Sequence, residues 1–145
     1  MSSLLATLQQ WEWFGILLAR LAVGLLFAIS GGGKLFVPKK GKQMKETMQQ
    51  ADVPAAQKSA VFVSLVELVF GVFLILGFLT PLSSLMLSGV MVVAIATVKL
   101  KTIEAKSILR WLGEFLYIPE VLYLVILIWL FFSGPGRVSL DNLLF

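Results

Sequence analysis

Four long apolar stretches, separated by short polar connections, govern what this chain is able to fold into. They run from about residue 14 to 36, 60 to 79, 82 to 98 and 115 to 132. Each is close to the roughly 17–25 residues that carry a helix across a bilayer. The hydrocarbon core offers no water to backbone N–H and C=O groups, so such stretches must be helical, and strand-length alternation is absent. The predicted fold is all-α: an integral membrane four-helix bundle, a single domain over residues 1–145. The composition agrees. Hydrophobic residues make up 59% of the 145 and charged residues 14%, whereas a soluble domain is typically about half apolar and a quarter charged.

The connections carry their own signals. Thr80-Pro81 separates spans two and three and predicts a tight helical hairpin. Gly41 to Ala51 is polar and fits a short surface helix. Asp52-Val53-Pro54 reads as an N-cap region with proline near the first turn of span two. Lys101 to Trp111 places Ile103, Ile108, Leu109 and Trp111 among Lys101, Lys106 and Arg110, the pattern of an amphipathic helix in the headgroup layer. Short interfacial helices are therefore expected in the first and third connections. Pro119 leaves two alternatives for span four. It starts near Phe115 and kinks, or it starts at Pro119 and is about 21 Å long.

The first stretch does not read as a cleavable signal. Residues 1–10 contain no Lys or Arg, and no small-residue cleavage site follows the apolar run. Trp11 and Trp13 fit an interfacial anchor. Lys34, Lys39, Lys40, Lys42, Lys45 and Lys58 lie in or beside the first connection, and Lys99, Lys101, Lys106 and Arg110 in the third. Only Arg137 lies outside the spans on the other side. Positive residues collect in the cytoplasm, so residues 37–58 and 99–113 are expected there, with both termini outside a bacterial or archaeal plasma membrane.

The sequence has no cysteine and no histidine. Thiol redox chemistry, disulfides, iron–sulfur ligation and Ser-His or Cys-His catalysis are excluded. Neither haem nor another metal is expected, and no catalytic residue is assigned. The net charge of +4 is modest and does not alternate with aromatics, which argues against nucleic acid.

Arg20, Glu67 and Glu120 fall within the apolar stretches. Ionisable groups at that depth are costly and usually face the bundle interior. Counting about 1.5 Å per residue, Glu67 and Glu120 lie at one level, about 20 Å below the outer interface, and Arg20 about 10 Å below it. Side chains lean toward their helix N-terminus. Arg20 then points outward and Glu67 inward, which argues against a direct bridge between them. Two carboxylates at one level would favour at least one proton between them. The plainer alternative places Glu120 in the first turn of a short helix. Arg20, Gly24, Phe27 and Gly31 share one face of span one, and Glu67 and Gly71 one face of span two, a spacing that lets helices approach closely. Gly31-Gly32-Gly33-Lys34 is not a phosphate loop, because it closes a span and lacks the motif's spacing. It reads as a helix terminator with a snorkelling lysine.

After span four, Gly134-Pro135-Gly136 predicts a sharp turn, and Ser139 an N-cap for a tail helix over residues 139–145. A folded-back tail would pair Asp141 with Arg20. Taken in order, Arg20-Leu21, Gly24, Phe27, Gly31 and Lys34, then Glu67, Gly71, Leu74, Gly77 and Thr80, then Glu120, then Gly134-Pro135-Gly136-Arg137 with Ser139-Leu140-Asp141 resemble the DoxX family of small four-helix membrane proteins over nearly the whole chain. The resemblance implies a four-helix bundle with the counterpart of Glu120 near a helix start. It also implies kinship with accessory subunits of membrane redox systems, one of which passes electrons to quinone. Three functions follow as expectations. The first is an accessory redox subunit holding quinone or another apolar ligand at Arg20, Glu67 and Glu120. The second is a scaffold docking a partner protein or anionic lipid at its basic loops. The third, and weakest, is a small transporter or proton pathway.

Overall fold

A computed structural model describes residues 1–104 and 106–145, without the side chains of residues 2 and 5. Its helices are α1 (Ser2–Gln10), α2 (Glu12–Phe36), α3 (Pro38–Gln50), α4 (Ala56–Leu76), α5 (Thr80–Ala94), α6 (Ile108–Leu116), α7 (Pro119–Ser133) and α8 (Leu140–Leu144). The chain is an all-α bundle. Three continuous helical runs, Glu12–Phe36, Ala56–Leu76 and Thr80–Thr102, are long and apolar enough to cross a membrane. α6 and α7, bent by 64° at the break between them, are long and apolar enough only as a pair, and give a fourth crossing if that pair is one broken span.

Local chemistry sets these boundaries. Val37 is extended because it precedes Pro38, so α2 stops there and α3 restarts with proline in its first turn. α4 ends in a left-handed residue, Gly77 at φ +67°, where a residue lacking Cβ is at no disadvantage. Leu79 follows, also left-handed, and α5 opens with Pro81 in its first turn. Ile118, extended before Pro119, separates α6 from α7 in the same way. Helix α7 therefore begins at Pro119, and Phe115 belongs to α6.

Three local expectations need correction. Asp52 does not cap span two. It is itself left-handed at φ +58° and closes α3 by donating its N–H to the Gln49 carbonyl, and α4 starts at Ala56 without a side-chain cap. The amphipathic helix in the third connection is displaced toward the C-terminus, to Ile108–Leu116. Residues 101 and 102 instead extend α5 through a π-helical turn, Ile95–Lys99, and a 3-10 turn, Leu100–Thr102. Residue 105 of that stretch lies outside the described residues. The N-terminal segment, not assigned a helix from its sequence, forms α1.

α2 packs on α4, α4 on α5, α5 on α7, and α7 returns to α2. Leu74, Leu87, Leu127 and Leu130 lie fully buried at the centre, joined by Phe27, Val23 and Met91. The ring of Phe27 meets Tyr123 edge-on. α2 and α4 touch at backbone distance. A Cβ on Gly31 would lie 2.5 Å from both the Ser64 carbonyl oxygen and the Leu68 nitrogen, and one on Gly71 would lie 2.6 Å from the Ala28 nitrogen.

Candidate functional site

The buried charges separate into two groups, one at each end of the bundle. Arg20, 2% exposed, points toward the end that carries the C-terminal tail. Its guanidinium donates to the Pro135 carbonyl and, at 2.6 Å, to the Val138 carbonyl. Gly77 makes room for it. A Cβ there would meet Arg20 Cζ at 2.7 Å and Ser139 Cβ at 2.6 Å. The tail is fixed again by Asp141, whose carboxylate accepts from the Leu79 N–H at 2.6 Å and the Thr80 N–H at 2.8 Å. These are unpaired donors at the start of α5, so Asp141 caps a helix remote in sequence. The Asp141 N–H also donates to the Gly77 carbonyl. Ser139 caps α8 by accepting from the Asn142 N–H.

The expected Arg20–Asp141 contact is therefore not a direct ion pair. Both side chains bind backbone in the same knot: Arg20 holds the tail's carbonyls, and Asp141 holds the turn between α4 and α5.

At the other end, which carries the lysine-rich connections, Glu67 is 3% exposed. Its partner is Lys34, whose Nζ lies 2.7 Å from Oε2 and 2.9 Å from Oε1. Ser30 donates to Oε2 at 3.2 Å. Gly31, one turn before Lys34, faces the Glu67 Cβ and brings the two helices close enough for the pair to form. Sequence reasoning missed this pairing by reading Lys34 as a snorkelling terminator. The signal was present, because Lys34 continues the face of Arg20, Gly24, Phe27 and Gly31 at alternating spacings of four and three.

Glu120 stands in the first turn of α7 and pairs with Lys99 at 3.0 Å. The π-helical turn that ends at Lys99 displaces the register of α5 there. Glu67 and Glu120 thus each hold a separate lysine and share no hydrogen bond, so the expected carboxylate pair does not form. Arg20 and Glu67 do not meet either, as their opposite leans require.

Glu120 Oε2 is buried and without a hydrogen-bond partner among the described residues. Beside this pair, a cleft of about 520 Å³ opens between Lys99, Thr102, Gly113, Tyr117 and Pro119. Arg20 Nε, and Ser84 Oγ and Thr80 Oγ1 on α5, are also buried without partners among the described residues.

The DoxX family model matches residues 15–100, more than half the chain, including Arg20, Lys34, Glu67 and Lys99. "Uncharacterized membrane protein Rv3486" of Mycobacterium tuberculosis is 32% identical over 131 residues, which span 88% of this chain and 79% of that protein. No solved structure matches significantly. By the family match and by this relative, the chain belongs to the DoxX family of integral membrane proteins.

Proposed function

We propose that this protein is a non-catalytic membrane subunit that holds a partner at its lysine-rich end. One observation carries the reading: the buried charges of the bundle bind within the chain. Arg20 is taken up by tail carbonyls and Glu67 by Lys34 and Ser30. Apart from Ser and Thr hydroxyls, the rest of the buried interior is apolar, with Phe27, Leu74, Leu87, Leu127 and Leu130 at its centre. Both terminal nitrogens of Arg20 and both carboxylate oxygens of Glu67 are spent on these intrachain partners, and buried polar groups so engaged rigidify a fold. The charge left outward lies on α3 and the third connection, where Lys39, Lys40, Lys42, Lys101, Lys106 and Arg110 are exposed. On the positive-inside rule that end faces the cytoplasm, with both termini outside. An acidic face of a partner protein is the complementary surface.

Native mass spectrometry from mild detergent tests the proposal. The expected result is a protein partner at fixed stoichiometry, lost when Lys39, Lys40 and Lys42 are replaced together by Gln. Recovery of the partner unchanged in that triple variant overturns the docking.

A redox role with a bound quinone or similar apolar ligand is the second reading. It is favoured by the unpartnered Glu120 Oε2 and the cleft beside Lys99 and Tyr117. Lys99, held by Glu120 at 3.0 Å, would donate to a carbonyl of the ligand there. Purified protein whose lipid extract contains no quinone, and whose four tryptophans are not quenched by added quinone, removes this reading.

A further inference from the structure

A groove of about 820 Å³ runs between α3 and the start of α4, apart from both groups of buried charge. Lys45, Gln49, Gln57 and Lys58 surround its mouth, and Val61, Phe62 and Leu65 continue it along α4. The polar-to-apolar order follows the helix axis. From Lys58 to Leu65 is about 10 Å at 1.5 Å per residue, directed into the apolar part of the bundle. Val61, Phe62 and Leu65 are all exposed on the bundle's outer face.

The cations at the mouth have no acidic partner. Among the described residues the ion pairs are Lys34–Glu67, Lys42–Glu46 and Lys99–Glu120. Lys45 donates only to the neutral Gln57 side chain, at 3.2 Å. Lys58 makes no side-chain hydrogen bond to a described residue. Two amides add further donors at the same level, and the uncapped first turn of α4 adds its dipole to the same attraction.

We propose that this groove is a binding site for an anionic phospholipid. The headgroup phosphate sits between Lys45 and Lys58, and one acyl chain lies along Val61, Phe62 and Leu65. Charge complementarity and the apolar wall act together. A zwitterionic lipid matches the wall but brings its own cation to the lysines, and a free phosphate matches the lysines but not the wall. The reading goes beyond partner docking, because the lipid seats on the side of the bundle, and it uses neither Lys39, Lys40 nor Lys42.

The test is native mass spectrometry of the full chain, extracted in mild detergent and equilibrated with equal phosphatidylglycerol and phosphatidylcholine. The wild type is expected to retain phosphatidylglycerol preferentially. Each lysine should contribute about fivefold to that preference, so Lys45→Gln with Lys58→Gln should remove most of it. Lys106→Gln with Arg110→Gln, an equal charge loss elsewhere in the basic connections, should leave it intact. Val61→Trp fills the groove without altering charge and should lower retention of the lipid. Equal loss with both charge pairs, retention unaffected by Val61→Trp, or protection against thermal unfolding by inorganic phosphate equal to that by phosphatidylglycerol overturns the site.

Discussion

Lys34 Nζ lies 2.7 Å from Glu67 Oε2, a salt bridge joining two antiparallel helices whose side chains lean toward each other. α2 and α4 run in opposite directions, so the lean toward each helix N-terminus carries Lys34 toward the tail end and Glu67 toward the lysine end. The same rule carries Arg20 away from Glu67. Removing one partner of a buried pair leaves an uncompensated charge, at a cost of about 3–5 kcal/mol. Lys34→Met is expected to destabilise the protein by about that much. Lys34→Met combined with Glu67→Gln should recover most of the loss. Unfolding in mixed micelles measures both. Equal stability of the single variant and the wild type would contradict the pairing.

The Lys99–Glu120 pair sits in a wetter place, with side-chain exposures of 37% and 21%. Partly exposed pairs contribute about 0–1 kcal/mol. Glu120→Gln should therefore change unfolding far less than Lys34→Met does. A larger loss from Glu120→Gln than from Lys34→Met reverses the order argued from burial.

Asp141 ties the tail to the start of α5 through two backbone N–H groups. Asp141→Ala removes both acceptors and should cost about 0.5–2 kcal/mol, the range for a lost N-cap. The tail should also become accessible. A protease that spares the wild type should cleave near residues 134–138 in the variant. Unchanged protection means that Arg20 holds the tail alone.

Glycine contacts give a contrast within one fold. A Cβ on Gly31 would enter backbone at 2.5 Å, whereas one on Gly89 meets nothing within 4 Å. Gly31→Ala should cost about 1–3 kcal/mol through overpacking. Gly89→Ala should be neutral or mildly stabilising, because alanine favours the helix. Matching melting temperatures for the two variants would show that α2 and α4 have room to part.

Much of this protein is legible in its sequence. The lengths of the apolar runs, with the bilayer's refusal to satisfy bare backbone groups, are enough for an all-α membrane bundle. Pro81 is legible as part of the break between spans two and three, and Pro119 as one of two starts for span four, because proline restricts its own φ and the residue before it; Pro38, which opens α3, was not read as a helix start. The ordered set from Arg20 to Asp141 carries the family resemblance, and the counter-directed leans of Arg20 and Glu67 were deducible from helix geometry.

Partner choice was not legible. Lys34 has a snorkelling lysine's sequence context and a buried salt bridge's structure. The difference lies in Gly31, whose missing Cβ lets α4 approach, and that depends on how two helices far apart in sequence cross. Asp141 was read as a charge partner because sequence separates acids from bases but does not show free backbone donors. Only the folded turn at Gly77 to Thr80 presents the Leu79 and Thr80 N–H groups to it. The groove between Lys45, Lys58 and Phe62 likewise arises from the angle at which α3 returns to α4. Sequence alone determined which residues must be buried, because transfer free energy belongs to each side chain. Only the tertiary structure decided which polar groups meet, because hydrogen bonds and ion pairs depend on ångström distances that helix packing sets.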